Sequence, residues 1–93
     1  MAKVKVYYNE DCTACPPYLA DLHEHCSANS HICEIVSLQL NPSDIISHLQ
    51  SLRESGHSIS SLPFFVVSDG EHEYSYEGIL KSETIAEVLN HFD

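Results

Sequence analysis

The chain has no tryptophan, one methionine, three glycines and only four basic residues among its 93. Each scarcity excludes something. Four Lys and Arg against fourteen Asp and Glu leave a net charge of -10, and so acidic a protein repels phosphate backbones instead of releasing their counterions. Nucleic acid and anionic membranes are therefore not expected partners, whereas basic or neutral ones are. Seven histidines begin to charge near about pH 6.5, so mild acid should erase much of that negative field. Few glycines and prolines leave no low-complexity tract, and no segment repeats. No run approaches 18 consecutive apolar residues, so nothing reads as a membrane span. The opening Met1 to Tyr8 has lysines inside an alternating pattern and no apolar core of a leader, and reads as a strand, not a signal peptide. The expected location is the cytoplasm.

What is present suffices for one folded domain spanning residues 1-93, since 43% of the chain is hydrophobic and the length is below that of two domains. A core of this size stabilises only marginally. Residues 3 to 8 alternate with Val4, Val6 and Tyr8 on one face and predict a first strand. Tyr18, Leu19, Leu22 and Cys26 recur at helical spacing and predict a helix from about the cysteine pair to Ala28, stopped near Asn29. Ile32 to Leu40, apolar on both sides, predicts a buried central strand. Asn41-Pro42-Ser43-Asp44 supplies a cap, a proline at the first helical position and an acid in the first turn of a second helix, which Gly56 terminates. Pro63 to Val67 and Tyr74 to Tyr76 predict a hairpin across Ser68-Asp69-Gly70-Glu71, and Ser82 is the expected cap of a last helix. The order is βαβαββα, which makes an α/β fold with a four-stranded mixed sheet and helices on both faces.

Four cysteines in a reducing compartment point to catalysis, metal binding or plain buried thiols before a disulfide framework. Cys12-Thr13-Ala14-Cys15 carries the chemistry. It sits where a strand ends and a helix begins, and on a helical turn that spacing brings the Cα atoms within disulfide reach. A thiolate at a helix N-terminus is stabilised by free N–H groups and the dipole, which makes Cys12 the expected nucleophile. Cys15, one turn inside, is placed to resolve a mixed disulfide. Glu10 and Asp11 oppose that stabilisation with negative charge, and Pro16-Pro17 remove two donors and are expected to delay the regular helix.

With the dithiol directly after the first strand, Ser61-Leu62-Pro63 ahead of the third, and Glu77-Gly78 after the fourth, the chain resembles the glutaredoxin and small thioredoxin-like family over nearly its whole length. The resemblance implies a thioredoxin-like fold of glutaredoxin type and an enzyme acting on protein or small-molecule disulfides with an unidentified reductant. It also implies a cis peptide bond at Leu62-Pro63 beside the dithiol, with Leu62, Pro63 and Gly78 lining the substrate groove. Tyr18, just after the dithiol, is a further candidate for that groove. The departures are specific. No tryptophan precedes Cys12 and no Gly-Pro separates the cysteines, unlike thioredoxins. No basic residue stands just before the motif, where Asn9, Glu10 and Asp11 lie, and Gly78 is followed by Ile79 instead of a second glycine, so glutathione is expected to be a poor ligand and no cofactor is expected.

Two competing readings use the same residues. A CxxC is also half of a zinc site, completed by Cys26, Cys33 or histidines, yet His23 and His25 point about 200 degrees apart on a helix and no second CxxC accompanies the first. No metal is expected. A thioredoxin-like scaffold with inert thiols used only for binding is the other. Cys26 and Cys33 read as small buried apolar side chains, against a second disulfide or a redox reporter. Oligomeric state is left open by the sequence.

Overall fold

A computed structural model of the chain describes residues 2–29, 31–38, 42–58 and 61–92. The elements are β1 (Lys3–Tyr8), α1 (Cys15–Ala28), β2 (Ile32–Ser37), α2 (Pro42–Glu54), β3 (Phe64–Ser68), β4 (Glu73–Glu77) and α3 (Ser82–His91). This is the βαβαββα order that the sequence predicts. The four strands form one mixed sheet in the order β2-β1-β3-β4, with β1 parallel to β2 and antiparallel to β3. β3 and β4 form the expected antiparallel hairpin.

Two cores cover the two faces. On one, Val4, Val6, Phe65 and Val67 of the sheet meet Tyr18, Leu22 and Cys26 of α1 and Ile85, Leu89 and Phe92 at the end of the chain. On the other, Tyr7, Val36, Phe64 and Val66 meet Leu52 of α2. Each fully buried Leu or Ile here contributes about 1.5–3 kcal/mol, so the larger core dominates stability. Tyr7, not anticipated as a core residue, is almost fully buried because β1 is covered on both faces. No helix among the described residues is long and apolar enough to cross a membrane.

Three local expectations are corrected. β2 is not central but forms the sheet edge, with Ile32 54% and Ile35 36% exposed, and it ends at Ser37. Its apolar character on both sides comes from partial cover by helices, not from a second neighbouring strand. Ser82 is not a cap. Lys81 holds the cap position, and the Ser82 hydroxyl turns back to Asp21 Oδ1 at 3.2 Å and His25 Nε2 at 3.0 Å, tying α3 to α1. Finally, Pro16 and Pro17 do not delay α1, which begins at Cys15. Both fall in the first turn, where an N–H has no partner inside the helix and its loss costs no ladder bond.

Gly56 ends α2 as expected. At φ +87° it lets its own N–H reach Arg53 O at 3.0 Å and that of His57 reach Leu52 O at 2.8 Å, which satisfies the last carbonyls of the helix. Gln39, Leu40, the cap at Asn41 and the lead-in residues Ile59 and Ser60 lie outside the described residues, as do the side chains of Asp44 and Ile45.

Candidate active site

The loop after β1 is folded by its own polar groups. Asn9 Oδ1 accepts the Asp11 N–H at 2.9 Å, and Asn9 O accepts that of Cys12 at 3.0 Å, which turns the chain sharply out of the strand. The Cys15 N–H then donates to Cys12 O at 3.3 Å and starts α1. Cys12 and Cys15 are joined in a disulfide with Cα atoms 5.4 Å apart. Cys12 is half-buried while Cys15 is 1% exposed beneath it, so an incoming molecule reaches the first sulfur and not the second.

The Leu62–Pro63 bond is cis, as the resemblance implies. Its position follows from register. Tyr7 pairs with Phe64 and Phe64 with Glu77, so the end of β1, the start of β3 and the end of β4 lie at one end of the sheet. The dithiol loop, Pro63 and Gly78 are thereby brought together there. Pro63 lies one residue ahead of the first strand position, but its carbonyl is used: the Gly78 N–H donates to it at 2.8 Å. Gly78 has φ +113°, a conformation that side chains resist. Leu62 is half-buried, its side chain packed against the core under α2.

Tyr18 does not join this group. It is 4% exposed within the core between α1 and the sheet, and burial pushes its hydroxyl well above the usual phenol range. A buried tyrosine on the inner face of the helix has no surface to offer a substrate. Two exposed apolar side chains, Tyr76, read from the sequence as strand packing, and Ile79, instead flank Gly78. Tyr76 shares a sheet face with the packed Tyr74, and alternation alone gives no sign that one is covered and the other not.

The rim of the site is acidic. Glu10 and Asp11 are exposed immediately before Cys12; Glu10 Oε1 accepts from Ser37 Oγ at 3.3 Å, and Glu77 Oε2 from Ser61 Oγ at 3.3 Å. Among the described residues no group of three or more His, Cys, Asp and Glu side chains is arranged around a possible ion.

No family model and no curated protein matches the sequence. Solved structures do. A chloroplastic thioredoxin z superposes with a TM-score of 0.72 at 18% identity, over 98% of this chain and 77% of that one. Thioredoxin 1 from Thermosipho africanus gives 0.72 at 15% identity over 97% and 92%, and oxidised thioredoxin O2 from Arabidopsis thaliana 0.76 at 12% over 98% and 74%. With its sheet order, its three helices on two faces and these neighbours, the chain has a thioredoxin-like fold.

Proposed function

We propose that the protein is a thiol–disulfide oxidoreductase that acts on protein or small-molecule disulfides through Cys12 and Cys15. The observation that supports this reading most strongly is the pairing of a reachable Cys12 with a shielded Cys15 at the first turn of α1, at the same end of the sheet as the cis Leu62–Pro63 bond.

In the reduced protein the Cys12 thiolate attacks one sulfur of a substrate disulfide. The substrate's S–S bond breaks, its other sulfur leaves as a thiolate and takes up a proton, and Cys12 is held in a mixed disulfide. Cys15 then loses its proton and attacks the Cys12 sulfur, expelling the substrate's remaining thiolate. The substrate has gained two electrons and the protein has returned to the Cys12–Cys15 disulfide. An external dithiol resets it by the same exchange run in the opposite sense.

Leu62 and Pro63 provide the wall along which an extended substrate lies, and Gly78 with the exposed Tyr76 and Ile79 closes the groove on the other side. The acidic rim favours substrates with neutral or basic residues beside their disulfide. The same rim and the missing second glycine disfavour glutathione, so a dithiol protein is the fitting reductant. The cytoplasm, a compartment that keeps thiols reduced between turnovers, is the matching location.

The experiment is capture of the mixed disulfide. Cys15→Ser, mixed with a disulfide-bonded protein substrate, should accumulate a covalent adduct through Cys12 that dithiothreitol releases, and Cys12→Ser should form none. Absence of any adduct, with a wild-type chain that does not accelerate disulfide reduction by dithiothreitol, would leave the protein a binding module and refute the proposal.

A further inference from the structure

A second pair of thiols lies at the far end of α1. Cys26 occupies the buried face of that helix one turn beyond Leu22, 2% exposed. Cys33 lies on β2 opposite Val4 of β1 and is half-buried against the same core. Both are free thiols, and both pack into one core, Cys26 within it and Cys33 against it. The backbone holds them there. The His31 N–H donates to Cys26 O at 3.0 Å, and that of Ile32 to Ala2 O at 3.1 Å, so the end of the helix and the start of the strand are fixed relative to one another.

The two sulfurs are unequal. Interaction with the Cys33 sulfur and burial push the Cys26 thiol well above the ordinary thiol range, while interaction with Cys26 holds the Cys33 thiol below it. Cys33 also lies on the edge strand, where reagents approach without crossing another strand.

We propose that Cys26 and Cys33 form a second redox pair, closed to a disulfide between α1 and β2 when the protein meets a peroxide. The Cys33 thiolate attacks one peroxide oxygen, the O–O bond breaks, and the other oxygen leaves and is protonated to water or an alcohol. Cys33 is then a sulfenic acid. The Cys26 sulfur attacks the Cys33 sulfur, the S–O bond breaks, and the departing hydroxide takes the Cys26 proton as water. Two thiols have lost two electrons and one peroxide has gained them. Cys12 and Cys15 take no part, because eleven residues of helix place Cys15 about 16 Å from Cys26 along the axis. The closed bridge joins the edge strand covalently to the helix and restricts the unfolded chain, so it raises the melting temperature.

The test uses Cys12→Ser/Cys15→Ser, in which only this pair remains, treated with a modest excess of hydrogen peroxide. Both remaining thiols should be lost in a denatured titration, with the mass lower by two hydrogens and the chain still monomeric on a non-reducing gel. Peptide mapping should link Cys26 to Cys33, the melting temperature should rise, and dithiothreitol should reverse every change. Persisting thiols, a mass gain of oxygen, or linkage between chains overturns the proposal. Cys33→Ala in the same background should leave Cys26 resistant to peroxide; unchanged reactivity overturns the assigned order of attack. Wild-type protein, reduced and then oxidised alike, should yield the Cys26–Cys33 peptide beside that of Cys12–Cys15, which makes the result independent of whether the variant folds. Because the tested variant lacks the dithiol, its outcome does not depend on the oxidoreductase reading.

Discussion

The amide of Gly78 and the carbonyl of Pro63, 2.8 Å apart, join the exit of β4 to the entry of β3 at the end of the sheet that carries the dithiol. The bond exists because Gly78 adopts φ +113°, which turns the chain back toward Pro63 immediately after the last strand position.

Gly78→Ala should therefore cost stability through the backbone. The added Cβ meets only Tyr76 Cε2 at 3.6 Å, an ordinary contact, so the penalty is conformational and of about 1–3 kcal/mol. Denaturant midpoints measure it, and turnover should fall as Pro63 loses its anchor. An unchanged midpoint would show that the turn relaxes freely.

Pro16 and Pro17 fill the first turn of α1 without N–H groups, so the helix end beside Cys12 offers two fewer donors than usual. Restoring one by Pro17→Ala in a Cys15→Ser background should shift the pH midpoint of Cys12 alkylation downward. A midpoint that stays or rises removes the helix terminus as a source of thiolate stabilisation.

The β3–β4 turn should be pH-sensitive with a definite sign. Asp69 accepts the His72 N–H at 2.7 Å and that of Glu71 at 2.9 Å, and these bonds, His72 first, hold its carboxyl below the usual carboxylate range. A depressed pKa contributes stability above the unfolded-state value and loses it as pH falls through the folded one. Asp69→Asn should then be less stable than wild type at neutral pH, with the difference vanishing in acid below the ordinary carboxylate range. A gap that persists undiminished there assigns the effect to shape, not charge.

Glutathione should bind poorly. Calorimetric titration of the oxidised protein is expected to show no saturable binding in the micromolar range, since Glu10 and Asp11 face an anionic ligand with no Lys or Arg just before the motif. A saturating isotherm, or a disulfide reductase rate that rises with glutathione, contradicts the charge argument.

The features legible in the sequence were those fixed by local chemistry. A CxxC between strand and helix and a glycine ending α2 each act within a few residues of themselves, and the dithiol and the helix terminator are where the pattern places them; the cis bond is where the family resemblance implies it. What escaped depends on distant partners. Apolar residues on both sides of Ile32 to Ser37 suit an edge strand as well as a central one, because only the sheet order decides which neighbour is missing. Ser82 has the composition of a cap, but Asp21 and His25 lie across the interface and draw its hydroxyl away. Tyr18 follows the dithiol closely in sequence, yet the turn of the helix carries it inward. For the same reason the meeting of Cys26 with Cys33 could be weighed but not seen, since it rests on the packing of helix against strand.

β1 is hydrogen-bonded along both edges, to β2 and to β3, while Val4, Val6 and Tyr7 are sealed on its two faces. Amide hydrogens in so enclosed a strand exchange with solvent only when the whole domain opens, whereas fraying loops release theirs early. The dithiol loop is the direct continuation of this strand. Deuterium labelling should accordingly find the slowest protons of the molecule at Val4 to Tyr7, equally slow in the oxidised and the reduced protein, with the change on reduction confined to the residues that follow. The reactive sulfur would then be carried by the last part of the chain to come undone.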